Sequence, residues 1–272
     1  MSGWRLTLKA SPALRVDLRG VTPEALADLP LAEIERLPVG YGNAWVPLAE
    51  FFRVVPEDSE GLVFDGDLSR FDRVGWQLAG GRIHVDGNVG HYAGGCMSAG
   101  ELLVSGRAGL LAACEMAGGI FTVQGDVDDF AASTLPGSMD GMRGGTFVVK
   151  GNAGARFGDR MRRGSAIVHG DAGDFLASRL VAGTIALGGR PGAHAGWGMR
   201  RGSVVFACGL AAGGVPATFV PALAAADVFW QLLVRDLARH GGPFAALGTR
   251  RIERHLGDLA VDGRGEMIIA LY

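Results

Sequence analysis

Five arginines recur at one place in a repeated pattern, just before the glycine that closes a repeat unit. They are Arg143, Arg162, Arg163, Arg200 and Arg201. Guanidinium groups suit bidentate recognition of carboxylates. If successive units stack as neighbouring strands, Arg143 and Arg162 lie about 5 Å apart and Arg200 about 10 Å beyond. Two interpretations stay open: contact with a polyanion or an acidic partner face, or a solvated corner whose charge is balanced by Asp140, Asp159 or solvent.

Aspartates and histidines are the other candidates for chemistry. Paired carboxylates on adjacent strands could cleave a glycosidic bond. However, Asp126 and Asp171 directly follow turn glycines, where the side chain usually bonds the backbone. His84, His91 and His169 have no nucleophile or carboxylate column beside them, and neither does His194. We therefore assign no catalytic, cofactor-binding or metal-binding residue to this chain. The carboxylates considered are Asp126, Asp128, Asp129, Asp140, Asp159, Asp171 and Asp174.

Composition and motifs exclude several classes of protein. A formal net charge of −2 and a pI of about 6.3 argue against nucleic-acid binding. The sequence contains no phosphate-binding loop, dinucleotide fingerprint, zinc-protease motif or nucleophile elbow. The three cysteines show no paired spacing, so neither a disulfide framework nor a zinc site is expected. With no leader or membrane-spanning segment in the sequence, we expect a cytoplasmic protein.

The elements that must position these residues are short strands, each followed by a glycine. These glycines are mostly 19 residues apart from Gly66 to Gly189, and a second glycine closes each unit. One strand per period predicts parallel neighbours joined by compact turns, with the right-handed crossover favoured. The fold predicted is all-β dominated, a right-handed parallel β-helix of about seven to eight coils. One unit has seven extra residues, which we place in a loop near Leu135–Gly141.

Three columns of apolar residues are predicted to fill the interior. Two come from alternate strand positions that begin at Leu62 and Phe64. The third lies three residues before each closing glycine and is mostly methionine, which packs as a flexible apolar side chain. Its members are Leu78, Met97, Met116, Met142, Met161, Leu180 and Met199. A metal or cofactor role for these methionines has no partner residues to support it.

The two ends lie outside the repeat. We expect an N-terminal α+β cap over residues 1–60, the β-helix over 61–207, and a C-terminal helix and hairpin over 208–272. The helix is predicted from Pro221 to His240, to cover the other end or one flank. The hairpin is predicted between Leu259–Val261 and Met267–Ile269. An outward column is more apolar than solvent requires and suggests contact with a partner or self-contact. It comprises Val63, Leu103, Val148 and Ile167.

The repeated G-[ND]-x-G pattern, with closing M-x-x-G or M-R-x-G, resembles the C subunit of formylmethanofuran dehydrogenase. It resembles in particular the homologous subunit of the methylotroph formyltransferase/hydrolase complex. The pattern occurs at Gly87–Gly90, Gly151–Gly154 and Gly170–Gly173, and the flanks Leu37–Gly42 and Gly257–Glu266 narrow the resemblance to the C subunit. The same coil pattern is similar to the C-terminal domain of glutamate synthase. An arginine-rich, lysine-poor composition favours a GC-rich methylotroph.

This resemblance implies a noncatalytic scaffold in tetrahydromethanopterin-linked oxidation of formaldehyde to formate. The implied partners are an amidohydrolase-like A subunit that carries metals, a B subunit and a formyltransferase D. The complex would act on formyl-methylofuran or formyl-methanofuran, and the arginine corner could hold the glutamate-rich tail of that carrier. The C subunit of a true dehydrogenase, an independent carbohydrate-active β-helix enzyme and a glutamate-synthase-like regulatory domain remain alternatives.

Overall fold

A computed structural model describes residues 3–58, 60–211, 213–223 and 227–271. The described chain is mostly β. Its helices are α1 (Pro23–Leu26), α2 (Leu31–Glu35) and α3 (Asp227–Ala238), with short 3-10 helices at Leu48–Glu50, Gly242–Phe244, Leu247–Thr249 and Leu259–Val261. Its strands are β1 (Gly3–Leu8), β2 (Val16–Asp17), β3 (Pro38–Tyr41), β4 (Ala44–Pro47), β5 (Phe52–Glu57), β6 (Leu62–Asp65), β7 (Phe71–Asp72), β8 (Arg82–Asp86), β9 (Glu101–Val104), β10 (Ile120–Val123), β11 (Arg143–Val149), β12 (Arg163–Val168), β13 (Thr184–Leu187), β14 (Ser203–Phe206), β15 (Val220–Pro221), β16 (Ile252–Gly257) and β17 (Gly265–Ala270).

A large, mainly parallel sheet is built from the repeated strands. Strands β6, β8 and then β9 to β14 pair in parallel with their neighbours along the chain. The register joins equivalent repeat positions, as in Phe121 to Phe147 and Phe147 to Ala166. A second parallel ladder of single bridges runs through the following turn, from Leu68 to Pro191. Each repeat therefore makes two parallel contacts with the next.

The interior columns predicted from the sequence are confirmed. The methionine column is fully buried throughout, and both strand columns are 2% exposed or less. The rings of Phe121 and Phe147 lie 4.9 Å apart, and Phe157 stacks on Phe147 at 5.9 Å. Because each side chain meets its register partners above and below, the core is a set of continuous columns.

A turn with alternating left-handed residues forms another wall of each repeat. One left-handed position faces the interior and holds only glycine or alanine. A Cβ at Gly158 would lie 2.3 Å from Cδ1 of Ile185, and Ala177 at the same position is fully buried. Small residues are needed there because the strand side chains fill the space opposite. This column comprises Gly75, Gly94, Ala113, Ala132, Gly158, Ala177 and Gly196.

Both ends extend the sheet with non-repeating strands. At one end β1 pairs in parallel with β6, and β5 pairs antiparallel with β1. At the other end β17 pairs in parallel with β14, and β16 pairs antiparallel with β17. The predicted hairpin therefore exists, but its first arm was wrong: Leu259–Val261 is a 3-10 turn, and β16 is the arm. An Asp258 side chain that caps this turn by accepting the Ala260 N–H at 3.0 Å explains the difference.

The C-terminal helix is shorter than predicted and covers one flank of the sheet. Pro221 belongs to β15, and residues 224–226 lie outside the described residues. Trp230, Val234 and Leu237 of α3 pack on the outer face of the sheet. They bury two members of the outward apolar column, since Val148 is 5% and Ile167 0% exposed. Of the two contacts that this column suggested, with a partner or within the chain itself, these two residues make the second, because α3 covers them.

Candidate functional site

The five candidate arginines lie together at the start edge of the parallel strands. Arg143 and Arg163 are the first residues of β11 and β12, while Arg200 and Arg201 immediately precede β14. With Arg162 they line one open groove of about 520 Å³, whose floor includes Val181 and Ala182. We call this the arginine groove. All five side chains are exposed.

The register within the groove differs by one residue from the predicted one. Arg143 pairs with Arg163 instead of Arg162, and the register shifts between Arg143 and Thr146. Such a shift is a β-bulge, which inserts an extra residue in one strand. It follows the loop of the longest repeat, and it pairs Arg143 with an arginine of the next strand.

Carboxylates neutralise only part of this charge. Arg143 lies 3.5 Å from Glu115, and Arg162 donates to Asp140. Within the described ranges, no carboxylate lies within ion-pair distance of Arg163, Arg200 or Arg201. Like charges this close favour an anion as a further partner.

A sixth arginine adjoins the same edge. The backbone N–H of Arg264 donates to the carbonyl oxygen of Arg200 at 2.7 Å, just before β17 begins. The concentration of positive charge therefore continues past the last repeat into the C-terminal hairpin.

A second groove of about 450 Å³ continues from the first and shares Arg162, Val181 and Arg200 with it. Its walls add residues that the sequence analysis missed: Arg160, Arg179 and the half-exposed Trp197. One signal could have found the two arginines, since they are 19 residues apart at one repeat position.

Asp159 fixes one of these missed arginines. Its side chain is 3% exposed and accepts hydrogen bonds from Arg179 Nε at 2.9 Å and Nη2 at 2.5 Å. Ser178 Oγ also donates to it at 2.6 Å. Asp159 therefore balances Arg179 rather than the five arginines of the groove, and one of the balancing residues predicted from the sequence was wrong.

Asp258 is a fixed anion at the bottom of the second groove. Burial acts to raise the pKa of its carboxyl, but N–H donors from Gly198 at 3.0 Å and Ala260 at 3.0 Å hold the pKa below its usual value. With a further hydrogen bond from the Thr218 side chain, the carboxylate is already satisfied and is not available to neutralise the arginines of the groove.

Two of the aspartates suggested for acid–base chemistry are used in turns. Asp126 accepts the N–H of Asn152 at 2.8 Å, and Asp171 accepts the N–H of Arg190 at 2.6 Å. Asn152 continues the same ladder by accepting the N–H of Asp171 at 2.9 Å. The turn role predicted for Asp126 and Asp171 is confirmed, and the ladder joins successive repeats.

The histidines also serve the framework. Nδ1 of His91 accepts the Leu110 N–H at 3.0 Å, which requires that nitrogen to be unprotonated. Burial and then the charge of Arg15 lower the pKa of His91. His169 accepts from Lys150 Nζ at 3.1 Å, and burial, followed by that ammonium, lowers its pKa to about 4. Both rings are neutral at physiological pH.

Among the residues that the structure describes, no cluster of His, Cys, Asp or Glu has the arrangement of a metal site. Burial raises the pKa of both the Cys114 and Cys96 thiols, which keeps them protonated. No described helix has the length and hydropathy needed to cross a membrane. The five exposed arginines of the arginine groove thus form a candidate site that the framework uses only in part, through the pairs of Arg143 and Arg162.

Comparison with known proteins gave consistent matches, although no protein-family model matches. The C subunit of the formyltransferase/hydrolase complex Fhc of Methylorubrum extorquens is 40% identical over 85 residues, 31% of this chain and 32% of the relative. The C subunit of tungsten-containing formylmethanofuran dehydrogenase 2 of Methanothermobacter marburgensis is 32% identical over 99 residues, 35% of this chain and 37% of the relative. The aligned segments thus span about a third of these curated relatives.

A solved structure matches over the whole length. It is the crystal structure of the formyltransferase/hydrolase complex (FhcABCD) from Methylorubrum extorquens with methylofuran. One of its chains superposes with a TM-score of 0.90 and 38% identity, covering 98% of this chain and 100% of that chain.

Proposed function

The chain belongs to the C-subunit family of formyltransferase/hydrolase and formylmethanofuran dehydrogenase complexes, and we propose that it is a noncatalytic scaffold subunit of a formyltransferase/hydrolase complex. That complex acts in tetrahydromethanopterin-linked oxidation of formaldehyde to formate, with formyl-methylofuran as its one-carbon carrier. The formyltransferase and metal-dependent hydrolytic chemistry belong to the other subunits.

One observation carries the proposal: the full-length superposition on a chain of the FhcABCD complex at 38% identity. The scaffold role is supported by the way this chain uses its polar groups. Asp126 and Asp171, which were candidates for acid–base chemistry, accept hydrogen bonds from backbone N–H groups. Its buried carboxylate Asp159 is bound by Arg179 and Ser178. Groups of this kind hold the framework together instead of forming an acid–base pair that faces a cavity.

The framework proposed for this role is a right-handed parallel β-helix of about seven to eight coils. The two parallel ladders per repeat and the continuous interior columns support it. The boundaries proposed near residues 60 and 207 separate the repeats from the two non-repeating ends. A rigid stack with flat walls is suited to holding other subunits at fixed separation.

The arginine groove is proposed as the contact with an anion. An acidic face of a partner subunit or the glutamate-rich tail of the carrier supplies the carboxylates. Arg163, Arg200 and Arg201 have no ion-pair partner among the described residues, so their guanidiniums are available for bidentate bonds.

A second candidate is the C subunit of a true formylmethanofuran dehydrogenase. The 32% identity to the tungsten enzyme subunit over 99 residues favours it. The two functions differ in the metal of the assembly, because the dehydrogenases contain tungsten or molybdenum. Metal analysis of the purified assembly distinguishes them.

The experiment is affinity purification of the chain from its host, followed by mass spectrometry of the bound proteins. Recovery of formyltransferase and amidohydrolase-like subunits is expected. Recovery of the chain from its host with no formyltransferase or hydrolase subunit bound contradicts the scaffold role. Replacing Arg162, Arg163, Arg200 and Arg201 with alanine is expected to weaken assembly or carrier retention, and an unchanged assembly with full carrier content contradicts the proposed anion contact.

A further inference from the structure

A pocket lies on the same strand-start edge as the arginine groove, but at the N-terminal end of the repeats. It has a volume of about 650 Å³. Gly61, Gly81 and Gly100 line its recess, each just before one of the strands β6, β8 and β9. Trp4 of β1 and helix α1 form the walls. We call it the N-terminal pocket.

The pocket is apolar below and acidic at its rim. Pro23 and Ala27 supply apolar surface, and Trp4 supplies an aromatic wall. The charged lining residues are Glu24, Glu60, Glu101 and Arg82. The guanidinium of Arg82 is already paired with Glu101 at 2.8 Å, so it does not balance the charge of Glu24. The charge of the lining is opposite in sign to that of the arginine groove.

Glu24 is positioned over the recess. The absence of a side chain at Gly80 makes room for it, since a Cβ there would lie 2.7 Å from Oε1 of Glu24. Within the part of the chain that the structure describes, no basic group lies within ion-pair distance of this carboxylate. Pro23 similarly packs over Gly81, where a Cβ would be 2.9 Å away. Helix α1 therefore presents a carboxylate beside the apolar recess.

We propose that the N-terminal pocket takes a basic side chain, arginine or lysine, from a partner subunit. The methylene stem packs on Pro23, Ala27 and Trp4, and the charged head meets Glu24 at the rim. Long basic side chains bury their stems on apolar surface in this way, and an aromatic wall adds attraction for the cation. Charge complementarity selects this occupant over an acidic or purely apolar one.

The opposite charges of the two grooves fix how the partner lies. Parallel strands begin at the same edge, so the N-terminal pocket and the arginine groove follow one line along the stack. At about 4.8 Å per strand, Glu101 of β9 lies about 10 Å from its register position Thr146 of β11, and Arg143 begins the same strand three residues earlier. A partner element with a basic part at one end and an acidic part at the other docks in one direction only.

The inference rests on the proposed function only for the existence of a partner subunit. The test uses the assembly purified from the host, with the photoreactive residue benzoylphenylalanine at Ala27 inside the pocket. A matched control carries it at Ala32, an exposed alanine of α2 outside the pocket. The Ala27 probe is expected to capture a known subunit of the complex through a peptide that contains Arg or Lys, and the Ala32 probe is not.

Charge reversal supplies the second measurement. Glu24→Lys is expected to weaken binding of the captured subunit about tenfold and to lower the salt concentration at which it dissociates. Glu33→Lys, an equal charge change on exposed α2, is expected to alter binding less than about twofold. Reversing the basic residue of the captured peptide to Glu is expected to restore binding to Glu24→Lys.

The outcomes separate the two proposals. An assembly that forms normally, but with no capture at Ala27 or with Glu24→Lys equal to Glu33→Lys, overturns the pocket and leaves the scaffold function standing. A wild-type chain that binds no formyltransferase or hydrolase subunit overturns the proposed function, and this inference with it.

Discussion

Removing Arg179 is expected to cost more stability than removing its partner Asp159, although the two changes break the same ion pair. The asymmetry follows from burial: the Asp159 side chain is 3% exposed and that of Arg179 is 36% exposed. Arg179→Ala leaves a buried carboxylate with only Ser178 Oγ at 2.6 Å as a side-chain donor. Asp159→Ala instead leaves a guanidinium that water can reach.

The magnitudes follow from what each variant leaves uncompensated. Stranding a buried charge costs about 3–5 kcal/mol in the free energy of unfolding. Losing hydrogen bonds from a partly solvated group costs about 1–2 kcal/mol, which is the value expected for Asp159→Ala. The matched control is Arg82→Ala, because its pair with Glu101 has side chains 66% and 50% exposed. Such surface pairs contribute about 0–1 kcal/mol.

Urea denaturation of the purified variants, monitored by circular dichroism at constant pH and salt, measures the three values. Comparable m-values are needed so that midpoints translate into free energies. The reasoning is refuted if the Arg179→Ala variant is at least as stable as the Asp159→Ala variant, or equal within error to the Arg82→Ala variant. Either result would show that burial of Asp159 does not determine the stability lost when the ion pair is broken. The assignment of Asp159 to the framework rather than to the groove would then fail.

Two further predictions concern the repeat and its C-terminal cover. Gly118→Ala is expected to lose about 2–3 kcal/mol of unfolding free energy, because its Cβ would lie 2.1 Å from the carbonyl oxygen of Ser98 in the neighbouring repeat. The control Gly137→Ala, with a φ of +85° and open space around it, is expected to lose only about 1 kcal/mol in the same denaturation assay. Burial and then the charge of Lys150 lower the pKa of His169 to about 4 in the folded chain, below its value in the unfolded chain. The contribution of neutral His169 to the free energy of unfolding is therefore fully present above about pH 6.5 and falls as the pH drops towards 4. His169→Gln is expected to reduce this loss of unfolding free energy at low pH by about 1–2 kcal/mol, a value lowered to allow for the partial exposure of the ring. Denaturation midpoints that fall equally with pH in the wild-type and variant proteins would exclude His169 as the cause.

The interior of the repeats could be predicted from sequence because of how a stacked repeat packs. Each residue lies against its own equivalents one period away, so a column such as Phe121, Phe147 and Ala166 is visible in the spacing alone. The same argument found the turn roles of Asp126 and Asp171. Glycine marks the positions where a Cβ would meet the adjacent coil, and those positions recur with the period.

Contacts between the repeat and its ends could not be predicted in this way. Val148 and Ile167 have the alternation of exposed strand residues, and only the fold shows that Trp230 of α3 covers them. Likewise β16 was missed because its side chains are mostly polar or partly exposed, while its pairing with β17 depends on backbone groups that every residue carries. Non-periodic contacts leave no trace in the spacing.

The arginine groove falls between these two cases, since only part of it follows from the repeat. Recurrence of arginine at one coil position forces like charges together, so the concentration of charge could be predicted from the spacing of the arginines. The bulge that aligns Arg143 with Arg163 could not, because it depends on how one long loop rejoins the sheet. The acidic pocket at the other end of the same edge was also hidden, since Glu24 and Trp4 come from the non-repeating segment and meet Glu101 only in the fold. In such a protein, surface residues that belong to the repeats recur with the period, so their spacing in the sequence predicts where they lie. Surface residues that come from the two non-repeating ends have no such spacing, and only the folded chain shows which repeat residues they join.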